Sequence, residues 1–319
     1  MAVPHPMDLQ SFDWSLLKVF VAVADTGSIN AAAQLLGHSQ AKVSRDIDLL
    51  ERHIGQELFV RSARGMELTP AGQVVLPKAR SMAYAADALS TEVSELQGDG
   101  SGQVVIAAHD AMATYWLAPR LPEFHQSHPG IEIMLKVVSE TPNLADGEAD
   151  ICLQYEPPNL RNVISRSIGH LHYIPFASRD YLEIHGVPES MYDAGKHRVL
   201  MHSGYNKQMD LWPEKMPHWK AINPNVLQSN SSTVIFETCA RGGGIAVMPS
   251  YIADVDQRVL PLAFKPMASI RFWLAYTERA RNLRRCQPVL QWLRDCFNPD
   301  RYPWFREMFV PPPSTVQAG

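Results

Sequence analysis

Long apolar runs are missing from this 319-residue chain. Its unbroken stretch from Val19 to Ala24 is far too short to span a bilayer, which takes about 20 residues. Met1 to Phe12 lacks both a basic n-region and an apolar h-region, so no secretory signal is expected. Cysteine is scarce: four residues exclude a disulfide-framework fold and suit a reducing compartment. Charged residues make up only 19% of the chain, against 46% hydrophobic residues, which excludes a wholly disordered chain. The formal net charge of −4 argues against a histone-like or polybasic nucleic-acid binder. Proline is sparse early on. Only Pro4, Pro6, Pro70 and Pro77 precede residue 99, and the other 20 lie beyond it. These absences describe a soluble, cytoplasmic protein long enough for two domains.

With so little proline, the stretch from Trp14 to Gln97 is free to be mostly helical. Gly98-Asp99-Gly100-Ser101-Gly102 then forms a flexible polar break that reads as a domain linker. Beyond it, short β-rich runs (Val104 to Ala108, Ile131 to Val138, Ile151 to Gln154) alternate with helical patterns such as Leu117 to Gln126. That alternation predicts an α/β domain with a largely parallel sheet. No internal repeat or extended low-complexity region is present. The tail from Pro299 to Gly319 is expected to fray, with Trp304, Phe305 and Phe309 as candidates to dock.

One constellation lies between Ser28 and Ile54. Ser28 is placed to cap a short helix whose apolar face is Ala32, Ala33 and Leu36, and Gly37 breaks it. Ser39 caps a second helix with Val43, Ile47, Leu50 and Ile54 on one stripe, which leaves Ala41, Ser44, Arg45, Asp48 and Arg52 facing outward. Helix, glycine turn and helix with a polar outer face is the helix-turn-helix plan, whose second helix enters the DNA major groove; an ordinary αα-hairpin shares that plan. Leu58 to Arg61 is strand-like, Ser62 to Gly65 turns, and Met66 to Leu68 returns. A hairpin carrying Arg61 and Arg64 suits a wing set against phosphates. Thr69 and Pro70 then open a long helix as N-cap and first residue.

At this point the chain resembles the LysR-type family of bacterial transcriptional regulators, over roughly residues 14 to 297. The match is carried by Phe20, Val23, Ala24, Gly27, Ser28, Ala32, Ala33 and Leu36, then by Ser39, Gln40, Val43, Ser44, Ile47, Leu50 and Glu51. It continues through Gly55, Leu58, Phe59, Arg61, Arg64, Leu68, Thr69, Ala71 and Gly72. The resemblance implies an N-terminal winged helix-turn-helix (12–70), a dimerising linker helix (70–98) and a C-terminal two-subdomain α/β effector-binding domain (103–297) similar in architecture to periplasmic binding proteins, with a tail from 298 to 319. One subdomain would span about 103 to 173 and return near 265 to 297, with the other between. Ala41, Lys42 and His38 depart from the family's usual residues, which bears on the operator that is read.

Charge and periodicity sharpen this. Residues 1–98 carry net −3, but the segment from His38 to Arg80 is locally +2, a patch of Lys42, Arg45, Arg52, Arg61 and Arg64. Gln40, Ser44 and Arg45 are the candidate base readers, since glutamine pairs with adenine and arginine with guanine. Ser39, Ala41 and Lys42 complete the DNA-facing set, with Arg61 and Arg64 on phosphates. Val75, Ala79, Met82, Ala86, Leu89, Val93 and Leu96 recur at alternating spacings of four and three, a heptad stripe suited to a homodimer on a pseudo-palindromic duplex. Packing against the chain's own domain is the alternative. Pro77 is a candidate kink. The family resemblance further implies a dimer of dimers, a homotetramer, in which the effector changes DNA bending.

In the second half, ligands are expected at the carboxyl ends of strands, where helix N-termini present free amides. That criterion selects His109, Asp110, Ala111 and Thr114, then Ser139, Glu140 and Thr141, then His202. It also selects Ser229, Asn230 and Ser232, whose hydroxyls and amides suit a carboxylate or other polar group, although they also suit a plain helix cap. Asp110 and Glu140 would repel an anion unless satisfied locally, which argues against a simple aromatic acid as effector. No catalytic residue, cofactor or metal is expected: Gly242-Gly243-Gly244 matches no nucleotide loop, Gly-x-Ser-x-Gly is absent, and His170 and His172 lack a third ligand by spacing. A solute-binding protein, or a redox sensor using Cys152 or Cys239, remains the alternative function.

Overall fold

The computed structural model describes residues 13–62, 65–97, 100–157, 162–189, 197–205, 227–313 and 315–316, the side chains at 84, 85 and 87–97 excepted. It divides into two compact units, the first made of residues 1–98 with 145–148 and the second of 99–144 with 149–319.

In the first unit, helices α1 (Ser15–Thr26), α2 (Ile29–Leu36) and α3 (Gln40–Ile54) precede a hairpin of β1 (Phe59–Ser62) and β2 (Gly65–Leu68), and α4 (Pro70–Gln97) follows. The caps fall where side-chain chemistry puts them. Ser28 accepts from the Ala31 amide and Ser39 from the Lys42 amide, while Thr69 accepts from the Gly72 amide at 3.0 Å. Gly37 ends α2 in the left-handed region, φ 65°. The core is Phe20, Val23, Ala32, Ala33, Val43, Ile47, Leu50, Leu58 and Phe59. The Glu51 carboxylate ties α3 to β1 by accepting from the Leu58 and Phe59 amides at 2.7 and 3.2 Å. Of the heptad stripe, Ala79 is buried in this same core and Val75 packs against it. Met82 and Ala86 are exposed, and the side chains of Leu89, Val93 and Leu96 lie outside the described residues. Pro77 sits inside α4, which continues through it.

The second unit is built on one sheet. Its strands are β3 (Gly102–Ala108), β4 (Ile131–Val137), β5 (Ile151–Gln154), β6 (Val163–Ala177), β7 (Val199–His202), β8 (Leu227–Ser229), β9 (Ile245–Pro249), β10 (Leu260–Pro261) and β11 (Ala268–Thr277). Among the described residues the order is β4-β3-β5-β11-β6-β9-β7-β8, with β10 on β6. The largely parallel sheet expected from the alternation is corrected to a mixed one. Pairs β3–β4, β3–β5, β7–β8 and β7–β9 are parallel, but β11 runs antiparallel to β5 and β6, and β6 to β9. The reason is topological: two parallel sets of strands are joined edge to edge by the long strands β6 and β11, which run in opposite directions. Helices α5 (Leu121–Ser127), α6 (Arg179–His185), α7 (Ser232–Ala240), α8 (Ile252–Val255), α9 (Glu278–Asn282) and α10 (Cys286–Cys296) accompany the sheet. The helix expected near Leu117 instead begins as a π turn at Met112–Leu117 and passes through a 3-10 turn before α5.

The fraying expected of the tail is corrected over its described residues, while the docking expected of Trp304, Phe305 and Phe309 is what the structure shows. Trp304 and Phe305 are buried, and the Phe305 ring packs 4.9 Å from Trp116 and 5.1 Å from Phe297. Phe309 lies 5.5 Å from the His172 ring, and Val316 pairs with Leu262 as an isolated bridge. Burying these aromatics outweighs the ordering entropy of a short segment.

Candidate functional site

The first unit presents its polar residues on one surface. A groove of about 480 Å³ is lined by Ser28 and Asn30 at the start of α2, by Gln40, Ala41 and Ser44 on α3, and by Arg61, Ser62, Gly65 and Met66 on the hairpin. The hairpin is seated by a backbone bond from the Met66 amide to the Gly27 carbonyl at 2.8 Å. Gln40 Nε2 donates to Asn30 Oδ1 at 2.7 Å, which fixes the amide at the groove edge. Lys42 Nζ is engaged by Asp46 at 2.6 Å, so its charge is already shared on its own helix. The Arg45 and Arg61 side chains are exposed and have no hydrogen bond or ion pair among the described residues. Ser39 is occupied as the cap of α3. Arg64 lies outside the described residues.

The second unit holds a cavity of about 750 Å³ at the carboxyl ends of β3, β4, β5, β7, β8 and β9. His109, Asp110 and Ala111 follow β3, while Ser139, Glu140 and Thr141 follow β4. His202, Asn230 and Ser232 close the far side. Nine of the eleven residues selected from sequence therefore meet around one space. The other two act behind it: Thr114 Oγ1 donates to Asp110 at 3.1 Å, and Ser229 Oγ accepts from the Ser231 amide at 3.1 Å.

Asp110 is the most heavily engaged group. Its carboxylate accepts from Ser231 Oγ at 3.0 Å and from the Thr233 amide and hydroxyl at 3.3 Å. Ser231 is the cap of α7, so the chain's own carboxylate occupies the N-terminus of that helix, where partial positive charge collects. Burial alone would raise the Asp110 pKa, but the bonds from Ser231, Thr233 and Thr114 hold it below the ordinary aspartate value. Within this cluster the Ser231 hydroxyl, with the Thr233 amide and hydroxyl that follow, is thus taken by an internal carboxylate.

Both histidines are neutral. Burial brings His109 down to about 4, with the neighbouring His202 pushing the same way. Its ring stacks on Tyr155 at 4.4 Å and 11°. His202 Nδ1 accepts from the Gly204 amide while Nε2 faces the Asn230 carbonyl, each at 3.0 Å. That pairing requires the proton on Nε2 alone, and burial lowers the His202 pKa as well.

Sequence reasoning missed the tyrosines. Tyr155, Tyr173 and Tyr205 line the cavity, with the Tyr173 and Tyr205 rings edge to face at 5.4 Å and Tyr205 Oη donating to the Val247 carbonyl at 3.0 Å. The signal available for Tyr155 was its position directly after a buried strand. Glu156, Ser203, Gly204, Ser231 and Pro249 also line the space. Outside it, His172 has both ring nitrogens engaged, by Ser269 Oγ and the Arg306 carbonyl at 2.8 Å each. All four cysteines are buried free thiols. Burial pushes Cys152, Cys239 and Cys296 up to about 12, far from the thiolate that redox sensing needs.

A winged helix-turn-helix with an exposed polar α3, followed by an α/β unit with a cavity at its strand ends, defines a ligand-responsive DNA-binding regulator. The helix-turn-helix model of the lysR family of bacterial regulatory proteins matches residues 14–73, and the LysR substrate binding domain matches residues 97–298. The chain belongs to the LysR-type family of transcriptional regulators and carries its DNA-binding and effector-binding domains. An HTH-type transcriptional regulator of Xanthomonas campestris pv. campestris is 32% identical over 182 residues, which is 57% of this chain and 53% of that one. The regulator CrgA of Neisseria meningitidis is 26% identical across 84% of this chain and 92% of its own. The crystal structure of CbnR complexed with its target DNA has a TM-score of 0.61 at 17% identity, covering 89% of this chain and 100% of that one. The relatives are regulators, and the solute-binding alternative falls with that. No helix among the described residues is long and apolar enough to cross a membrane.

Proposed function

We propose that this chain acts in the cytoplasm as a homodimer on a pseudo-palindromic duplex, with α3 in the major groove and the hairpin against phosphates. Gln40, Ser44 and Arg45 read base edges, and Arg61 positions the backbone, a role the sequence pattern also gives Arg64. A small-molecule effector in the strand-end cavity shifts the population between two DNA-bound arrangements, which requires unequal affinity for the two. Catalysis has no part in this reading. The observation that supports it most is the convergence of Gln40, Ala41, Ser44 and Arg61 on one groove.

The test is duplex binding across a salt series. Affinity should fall steeply with salt while preference for one palindromic sequence persists. Arg45→Ala should cost about 1–3 kcal/mol and relax the preference at one base position, whereas Arg61→Ala should weaken all sequences alike. Lys42→Ala should change less than either, because Asp46 already engages that ammonium. No duplex preference at any salt would overturn the reading.

A further inference from the structure

We propose that the effector cavity selects an organic cation, an amine with an apolar body, and rejects carboxylates; this rests on the cavity being the effector site. An anion entering an α/β strand-end cavity is ordinarily met by helix N-terminal amides, hydroxyls or a basic side chain. Here the Ser231 hydroxyl and the Thr233 amide and hydroxyl at the start of α7 are already bound to Asp110, a carboxylate from the chain itself. Among the described residues no arginine or lysine lines the space. The two histidines that do are uncharged, His202 by the pattern of its ring bonds. Among the described residues the acidic side chains lining the cavity are Asp110, Glu140 and Glu156. An entering carboxylate would meet these carboxylates with, among the described residues, no basic side chain to offset them, only hydroxyl and amide groups such as those of Ser139, Thr141, Ser203, Asn230 and Ser232.

A cation meets the opposite arrangement. Tyr155, Tyr173 and Tyr205 contribute aromatic surface, and an ammonium over such a face is attracted by the ring quadrupole. Glu140 and Glu156 are exposed toward the solvent side, where they draw a cation in without the full penalty of burial. The cavity volume of about 750 Å³ falls within the range of small-molecule sites, leaving room for an apolar body beside the charged end.

The experiment compares three probes on one carbon skeleton, 4-phenylbutylamine, 4-phenylbutanol and 4-phenylbutyrate, by calorimetry on the full chain at neutral pH. The amine should bind at least about tenfold tighter than the carboxylate, with the alcohol between. Glu140→Gln with Glu156→Gln should cut amine affinity about tenfold and leave the alcohol unchanged. Asp110→Ser frees the α7 N-terminus and should bring carboxylate affinity up about tenfold, with Asp110→Asn as the better-folding second variant. Equal responses to the three probes, an absence of response included, overturn the proposal, as does tighter carboxylate binding in the unmodified protein. Ala111→Trp fills the cavity and separates the two ideas. Carboxylate binding that Ala111→Trp abolishes would leave the cavity as the effector site and remove only the cation; amine binding that survives Ala111→Trp would remove the cavity itself.

Discussion

His109 stands at the end of β3 with its ring stacked on Tyr155, and burial holds it near pH 4 against an ordinary value of 6.5. The native state therefore keeps this ring neutral over a range in which the unfolded chain takes up a proton. Stability from this group is complete above about pH 6.5 and is lost as pH falls toward 4, with a slope of up to about 1.4 kcal/mol per pH unit. His202 is shifted in the same direction and adds to the loss. Asp110 does not interfere, because its carboxyl lies below 3.8 and stays ionised across that interval. Urea unfolding at pH 7.5, 6 and 5 should show the second unit weakening at each step, and His109→Gln should flatten the dependence. An unchanged slope in that variant would place the proton uptake elsewhere.

At the scale of elements, the hairpin depends on a glycine that no side chain can replace. Gly65 has φ +121°, and a Cβ there would sit 2.4 Å from the Gly27 carbonyl oxygen. Gly65→Ala should therefore lift the hairpin off the α1–α2 turn and destabilise the first unit by about 1–3 kcal/mol, read by thermal unfolding, with duplex affinity falling in parallel. Phe305→Ala tests the docked tail: removing a ring packed on Trp116 and Phe297 should cost about 3–5 kcal/mol in the second unit. A frayed tail would give no change. These elements also separate what could be read in the sequence from what could not. Ser28, Ser39 and Thr69 declare their caps because a hydroxyl before an apolar-periodic run has a local partner three residues on. The strand-end residues were accessible for a similar reason, since a buried run followed by polar residues marks where a chain leaves a sheet. Nothing local announces that β11 returns antiparallel between β5 and β6, or that Asp110 meets Ser231 and Thr233 more than 120 positions away. The cavity tyrosines were hidden for the same reason, because an aromatic residue near a strand end looks like core until the topology brings three together.

For the whole molecule, a net charge of −4 and an operator-reading surface coexist because the basic residues are concentrated rather than abundant. A weak overall field limits indiscriminate binding to DNA, so in the proposed homodimer affinity comes from two copies of α3 engaging one duplex together. That places the demand on α4. Of the first two members of its heptad stripe, Ala79 is buried in its own unit, and Val75 is partly buried against the same core. Met82, 37% exposed, and Ala86 open the part of the stripe that a second copy can cover. Because neither is needed for the core of the first unit, charging them should separate association from folding. Met82→Glu combined with Ala86→Glu should move the protein toward monomer in sedimentation equilibrium while the thermal midpoint of the first unit shifts by less than about 0.5 kcal/mol equivalent. Affinity for the full palindrome should fall by on the order of a hundredfold as linked binding is lost, and affinity for a single half-site should stay the same. If the double variant remains a dimer of unchanged affinity, the partner contact lies elsewhere, and α4 serves only the chain that carries it.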